Sequence, residues 1–386
     1  MSEYKVGSLF AGVGGICLGF MNAKTKKSNY KLVWANEIDE YACETYRNNF
    51  SHQLLEGDIK LVLHPERISD GIKKKYYQDL HAKILSQPID VLNGGFPCQA
   101  FSIAGERKGF EDERGNLFLN IIDLIEQLGE KFYKPRVLFL ENVKNLKSHD
   151  NKKTYKYIKQ KLEECGYTIF EKILNTMEYT DIPQNRERIY IIGLLNEEDV
   201  CNFKVFDNIE KYKNKKSKLV RKKEIQSIID YSLTIDEAFK YYYTREKYPN
   251  YFMTDEEFEK SNKKEKINLS EQLDEMYEFY QCRRGMYVRK NQSGVCPTLT
   301  ANMGTGGHNV PLIKVSDGIR KLTPKETFKL QGFPVDNDYK LPTTINGRVY
   351  PDSQLYKQAG NAVSVPVIQM LATEILKMLD KSEISY

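Results

Sequence analysis

Over residues 1–200 short apolar runs alternate with segments whose apolar positions recur every three to four residues. "YKVGSLFAG" (4–12), "YKLVWANE" (30–37), "IDVLNGG" (89–95), "PRVLFLENV" (135–143) and "RERIYIIGLL" (186–195) are short and rich in branched and aromatic residues, so they predict strands. A further short strand is expected just before Asp58, in "EGDI". "NLFLNIIDLIEQLGEKF" (116–132) has the helical period. Such alternation builds a mostly parallel sheet with helices on both faces, and ligands then sit at the carboxyl ends of the strands. The pattern changes after residue 200. "KYKNKKSKLVRKK" (211–223) holds eight Lys/Arg and no acid, and 224 to about 281 is charged and tyrosine-rich without strand alternation. Residues 201–355 are therefore expected to form a second, smaller domain. "SVPVIQMLATEILKML" (364–379) predicts an amphipathic helix with Ile368, Leu371, Ile375 and Met378 on one face. A core-type helix after a polar insertion returns the chain to its starting domain, which would span 1–200 and 356–386.

A chain of 386 residues with 40% hydrophobic positions has room for two such cores. The formal net charge of +5 is mild, so local charge matters more than the total. Seven cysteines, at 17, 43, 98, 165, 201, 282 and 296, have no zinc-type spacing, and their odd number argues against a disulfide framework. They fit a reducing cytoplasm and no bound metal. "MSEYKVGSLF" lacks a secretory pattern, and no apolar run approaches the roughly 20 residues of a membrane span, so no membrane partner is expected.

The candidate chemistry gathers at the predicted strand ends. "FAGVGG" (10–15) follows the first strand, where glycines let the backbone approach a ligand or simply make a tight turn. It is not a dinucleotide fingerprint, because Cys17 stands at the third glycine position. Glu37 ends the second strand, where a carboxylate can accept both hydroxyls of a ribose; Asp58 can accept from an adenine amine. Each acid alone is more readily a helix cap or a surface residue, but with the glycines they describe an adenosine pocket without a phosphate cradle, which suits S-adenosylmethionine better than NAD. Cys98, in "NGGFPCQAFS" (93–102), lies behind a proline at a strand end, where backbone N–H groups can favour the thiolate; its alternative is a small buried hydrophobe. Glu141 in "LENV" closes the next strand as a possible acid. Arg186 and Arg188 precede the strand at 189, and alternation points both to one face, where they would hold an oxyanion or a phosphate unless they serve in surface salt bridges.

"FAGVGG", "GGFPCQAFS", "ENV", "QNRER" and "GNAVSVPV" resemble, in order and spacing, the bacterial DNA cytosine-5 methyltransferases of the type II restriction-modification kind, over nearly all the chain except about 200–280. "RGNLF" (114–118), "RKLTPKETFKLQGFP" (320–334) and the Thr-Leu of "CPTLTAN" (296–302) match as well. The resemblance implies a Rossmann-like S-adenosylmethionine-dependent domain and a smaller target-recognition domain, with double-stranded DNA between them. It places the cofactor against Phe10, Ala11, Gly12, Val13, Gly14, Gly15, Glu37, Ile38, Asp58, Ile59, Pro97, Leu117, Asn361 and Ala362. Many members carry an aromatic residue where this chain has Ile38, so adenine stacking would rest more on Phe10.

It also implies the chemistry. Cys98 adds to C6 of a flipped-out cytosine, Glu141 contacts N3 and the exocyclic amine, Arg188 the base carbonyl oxygen, and Arg186 supports the loop. Ser102 and the polar segment to about 115 would close over the base. DNA contacts fall to Gln99, Ser102, Gln184, Arg283, Arg284, Arg289, Thr298 and Leu299, and the 282–311 stretch resembles segments that read CCGG or CCNGG. The enzyme is expected to act as a monomer, beside a restriction endonuclease that uses the same site without a stable complex. The competing functions are a tRNA cytosine-5 methyltransferase, whose Cys-Phe-Thr element is missing here, an NAD-dependent dehydrogenase, and a non-catalytic DNA-binding protein, which would not need Cys98, Glu141 and Arg188 together.

Overall fold

The computed structural model describes residues 1–97, 117–283, 287–305 and 309–382. Its contacts divide the chain into two units: 1–174, 187–213 and 365–386 form one, and 175–186 with 214–364 the other.

The first unit is built on seven strands: β1 (Ser2–Leu9), β2 (Ser28–Glu37), β3 (Gln53–Glu56), β4 (Val91–Gly95), β5 (Val137–Val143), β6 (Thr168–Asn175) and β7 (Glu187–Leu194). They lie in the order β3-β2-β1-β4-β5-β7-β6. The β1–β2, β2–β3, β1–β4 and β4–β5 pairs are parallel, and β7 runs antiparallel to β5. Strands covered on both faces read as continuous apolar runs. In "VLFLENV" Leu138 and Leu140 join the large core with Trp34, Leu92, Phe118 and Leu124, while Phe139 meets Phe20 and Tyr190 on the other face.

Helices α1 (Gly15–Asn22), α2 (Glu40–Arg47), α3 (Ile59–Leu63), α4 (Gly71–Ile84), α5 (Leu117–Lys131) and α6 (Lys153–Glu164) fall between these strands. In the second unit lie α7 (Lys218–Ile228), α8 (Pro324–Lys329) and α9 (Asp352–Asn361); α10 (Val365–Ser382) returns to the first. The contact is close: a methyl group on Gly19 of α1 would sit 2.5 Å from the Ile368 side chain. Asp352–Ser382 does contain a stretch long and apolar enough for a membrane span, contrary to the sequence reading, but 72% of its apolar window is buried within the protein, as a core helix requires.

The second unit has a five-stranded sheet, β10-β9-β11-β12-β8, from β8 (Tyr242–Tyr243), β9 (Tyr280–Arg283), β10 (Tyr287–Lys290), β11 (Leu312–Val315) and β12 (Gly318–Lys321). Tyr243, Phe252, Ile267, Leu269, Tyr280, Leu312 and Ile319 form its core. Fully buried Arg320 grips both oxygens of Glu326, at 2.8 and 2.7 Å. A buried charge persists only when paired in this way.

The unit boundaries fall at 174/175, 186/187, 213/214 and 364/365 rather than at 200 and 355. Residues 183–186 add as an extended segment to 296–299: Cys296 N donates to Pro183 O and Asn185 N to Cys296 O, both at 2.8 Å. Residues 201–213 stay with the first unit because Asn208 and Lys211 both reach the buried Glu374 of α10.

Candidate active site

The glycine turn begins one residue beyond β1. Phe10 (φ 54°), Gly12 (φ 55°) and Gly14 (φ 80°) all take the left-handed conformation. Held by its surroundings, such backbone is characteristic of ligand clamps, and only glycine adopts it freely. The two glycines are needed for different reasons. A Cβ on Gly14 would lie 2.2 Å from the Phe50 ring, whereas one on Gly12 would meet nothing within 4 Å. Ala11 and Val13 are buried, and Gly15 opens α1.

Glu37, at the end of β2, closes over this turn. Its Oε2 accepts from Gly12 N at 2.7 Å, and its Oε1 from Ile38 N and Asp39 N at 2.8 Å. Beside it the Ile38 side chain is 66% exposed. Asp58 caps α3 by accepting from Lys60 N at 3.0 Å, and Ile59 behind it is buried. Thus the helix-cap reading of Asp58 describes its part in the fold, while its half-buried carboxyl remains at a strand end.

The ends of β4 and β5 meet next. Gly94 must be small, since its Cβ would stand 2.9 Å from Leu9 O. Asn142 Nδ2 donates to Phe96 O at 2.9 Å, which fixes the backbone two residues before Cys98. Glu141 is only 8% exposed and pairs with Arg188, Nε to Oε1 3.0 Å. Its Oε2 faces Gly95, where an added Cβ would come within 3.3 Å. Arg188 reaches Glu141 from β7, whose antiparallel register sets Arg188 opposite Val143. Pro97 and Leu117 flank a stretch, 98–116, that lies outside the described residues, and with it Cys98, Gln99, Ser102 and the expected loop.

The placement of the two arginines corrects the sequence reading. Alternation does not extend to Arg186, because β7 starts at Glu187. Arg186 is 2% exposed, and its guanidinium donates to the carbonyls of Leu299 (2.8 Å), Gly360 (3.2 Å) and Ala362. It is a scaffold for the second unit. Gln184 and Leu299, expected at DNA, are likewise buried: Gln184 donates to Leu330 O at 2.7 Å and accepts from Leu299 N at 3.2 Å. Thr298 Oγ1 donates to Asn185 O at 2.6 Å. Their polar atoms are satisfied internally, as buried groups must be. Ala362 belongs to this same interlock, and Asn361 ends α9 exposed.

Of the expected base readers, Arg284 lies outside the described residues, and Arg283 closes β9. Arg289 is exposed on β10 directly opposite Gln281, with Nη2 3.4 Å from its Oε1. Sequence reasoning missed Gln281 and Asn142. The antiparallel register of β9 and β10 pairs the first with Arg289; the second stands inside the ENV element that drew attention to Glu141.

Residues 4–377 match the protein family described as C-5 cytosine-specific DNA methylase. The chain belongs to this family. It is a DNA cytosine-5 methyltransferase. It is 44% identical over 378 residues to the type II methyltransferase M.Bsp6I of Bacillus sp. (strain RFL6), covering 97% of this chain and 99% of that one. It is 34% identical to the type II methyltransferase M.HaeII of Haemophilus aegyptius, covering 98% and 95%. Among solved structures, the Dnmt2 methyltransferase of S. pombe superposes with a TM-score of 0.64 at 20% identity over 98% of this chain and 99% of its own, a likeness of fold. The methyltransferase thus matches these bacterial relatives over almost their whole length. The expected mostly parallel, Rossmann-like sheet flanked by helices is the fold observed.

Proposed function

We propose that this methyltransferase transfers a methyl group from S-adenosylmethionine to C5 of a cytosine flipped out of a short duplex sequence, through a covalent bond between Cys98 and C6. The observation that carries this reading is the junction of β4 and β5: Glu141 and Arg188 paired at 3.0 Å beside a backbone that Asn142 pins just ahead of Cys98.

The glycine turn and its carboxylate fit an adenosine. Open space at Gly12, the Glu37 carboxylate and the exposed Ile38 side chain give backbone room, an acceptor for ribose hydroxyls and an apolar surface for a ring. Phe10 and Asp58 complete that pocket at the ends of β1 and β3. S-adenosylmethionine supplies, when bound there, the electrophilic methyl group.

The protein's own residues prepare the base. The Cys98 thiolate forms the S–C6 bond; the C5=C6 electrons shift toward N3, and Glu141 delivers a proton there. Arg188 orients Glu141 and donates to the base carbonyl oxygen, so charge developing on the ring meets a fixed cation. C5, now enamine-like, is the nucleophile toward the methyl group that the cofactor would supply, whose bond to sulfur would break with its electron pair left on a neutral thioether. A base, for which water suffices, then takes the C5 proton, the S–C6 bond breaks, N3 returns its proton to Glu141, and Cys98 leaves as thiolate. Extrusion of the cytosine costs a few kcal/mol of unstacking.

The second unit reads the target. Arg289, exposed on β10 opposite Gln281 of β9, offers the fork that suits guanine O6 and N7, and Arg283 and Arg284 are the further guanine contacts proposed. A GC-rich palindrome with a CC…GG frame is the target proposed, methylated by a cytoplasmic monomer whose companion endonuclease cuts the same site. With cofactor present, duplex bearing 5-fluorocytosine at the target should give a denaturation-resistant adduct, since fluorine blocks the final elimination. Cys98→Ala should give none, and an adduct from that variant would overturn the mechanism. Bisulfite sequencing of DNA methylated by the pure enzyme reads the target; modification in another frame removes the CC…GG assignment and leaves the reaction standing.

A further inference from the structure

The basic run 211–223 is divided by its pairing. Lys216 is bound to Asp181, Glu224 and the carbonyl of Thr180, and Arg221 to Glu224 and the carbonyl of Met177. Lys211 pairs with Glu374 at 3.5 Å. These cations and the nearby carboxylates neutralise one another. Lys215, Lys218 and Lys223 are exposed and have no ion pair among the described residues; the exposed Lys222 has the Tyr277 ring, 4.5 Å from Nζ. A cation over a ring keeps its N–H groups available to an anion.

Three of these four lie on one helix face. Arg221, Ile225 and Ile228 form the buried side of α7, and Lys218, Lys222 and Lys223 span about 140° of the circumference at 3.6 residues per turn, from the edge of the buried side at Lys218 round to Lys223 opposite it. Glu224, the acid of this stretch, lies outside that arc and is occupied. Leu219, 65% exposed, shares the face, but one leucine among three lysines is no membrane-inserting surface.

We propose that the exposed face of α7, with Lys215 just before it, is a contact surface for the DNA phosphate backbone that acts without regard to sequence. The proposal rests on duplex DNA being the substrate. A backbone carrying one negative charge per about 1.7 Å of duplex complements closely spaced lysines that the protein itself leaves unneutralised, and their binding releases condensed counterions.

The test is binding of the full-length protein to a duplex over a series of salt concentrations. The Lys218→Gln/Lys222→Gln/Lys223→Gln variant should lower the slope of log K against log salt by about 2.7, at about 0.9 per phosphate contact. The loss should be equal on a duplex of unrelated sequence. The matching lysine-to-arginine variant should keep the slope. Lys211→Gln, a change from the same run in a residue already paired, should leave it unaltered. An unchanged slope in the triple glutamine variant overturns the proposal, as does an equal change per charge in Lys211→Gln, which would mean net charge alone. Loss of binding to anionic phosphatidylserine vesicles with an unchanged DNA slope would also overturn it, in favour of a lipid surface. Methylation of the duplex by the unaltered enzyme, measured in parallel, separates failure of this surface from failure of the substrate reading.

Discussion

Arg186 and Arg188 stand two positions apart, and the structure gives them opposite predicted phenotypes. The Arg186 guanidinium, 2% exposed, holds the carbonyls of Leu299, Gly360 and Ala362. A lysine there supplies charge without the planar fork and cannot span all three acceptors. Hydrogen bonds to charged groups contribute about 1.5–3 kcal/mol each, so the loss of one or two should destabilise the protein by roughly 2–4 kcal/mol. For a chain of 386 residues, at about 2.1 cal/mol/K of unfolding entropy per residue, that lowers the melting temperature by about 2–5 °C. Arg188 is also largely buried, with 13% of its side chain exposed, but its partner is Glu141. Arg188→Lys keeps a cation near that carboxylate, so melting should move by about 1 °C or less. Methylation should fall about 100-fold or more, as when a single donor to developing charge is removed. The assays are melting followed by circular dichroism and initial rates of methyl transfer to duplex at 20 °C, below either transition. Arg186→Lys should retain most of its activity at that temperature. If it melts with the unaltered protein but fails to methylate, the guanidinium belongs to the chemistry and the scaffold assignment is wrong.

Gly360→Ala should damage the same interlock from the opposite side. The new methyl would sit 2.1 Å from the carbonyl carbon of Thr300, so α9 must shift, at about 1–3 kcal/mol for overpacking plus strained Arg186 bonds; wild-type denaturant midpoints would count against the contact. Glu37→Gln should weaken S-adenosylmethionine binding roughly tenfold to a hundredfold through lost charge-assisted hydrogen bonds, with less effect on DNA binding, and calorimetry showing wild-type affinity would remove Glu37 from the pocket. Burial pushes the His52 imidazole down to about 4, while its Nε2 lies 2.6 Å from the Tyr46 hydroxyl. The unfolded histidine, near 6.5, therefore takes up its proton first, and stability should fall as pH drops from about 6.5 toward 4. After discounting for partial exposure, this is worth roughly 1–2 kcal/mol. His52→Gln should flatten that part of the stability profile, and an unchanged profile would show that other groups set it.

The strands of the first unit were legible because a sheet buried on both faces leaves continuous apolar runs, as "VLFLENV" does. The glycine turn and Glu37 were legible because close approach and a strand-end carboxylate demand particular residue types. What the sequence hid depends on distant partners. Arg186 looks like a strand residue until Ala362, 176 positions away, is seen to accept from it. Gln184 reads as a polar recognition residue until its amide is found spanning Leu299 and Leu330. The boundary placed at 200 followed a change of composition, but Glu374 in the final helix holds 208–211 to the first unit, and no local periodicity reports that contact. The basic run looked uniform because charge along a chain does not reveal which lysines have already met a carboxylate.

The return of α10 has a consequence for biosynthesis. Strand β1 leaves the ribosome well before the helix that packs behind it, which, with Ile368 against Gly19, Ala372 O accepting from Tyr30 and Asp380 from Thr25, is made from residues translated more than 350 positions later. Until Val365–Ser382 has emerged, the nascent sheet has one apolar face uncovered, and the glycine turn that leads into α1 lacks its backing. The second unit is therefore translated almost entirely while the first waits unfinished. A message interrupted before the codon for Val365 should yield no partly working enzyme, only a chain with an open core that is exposed to chaperones and proteases.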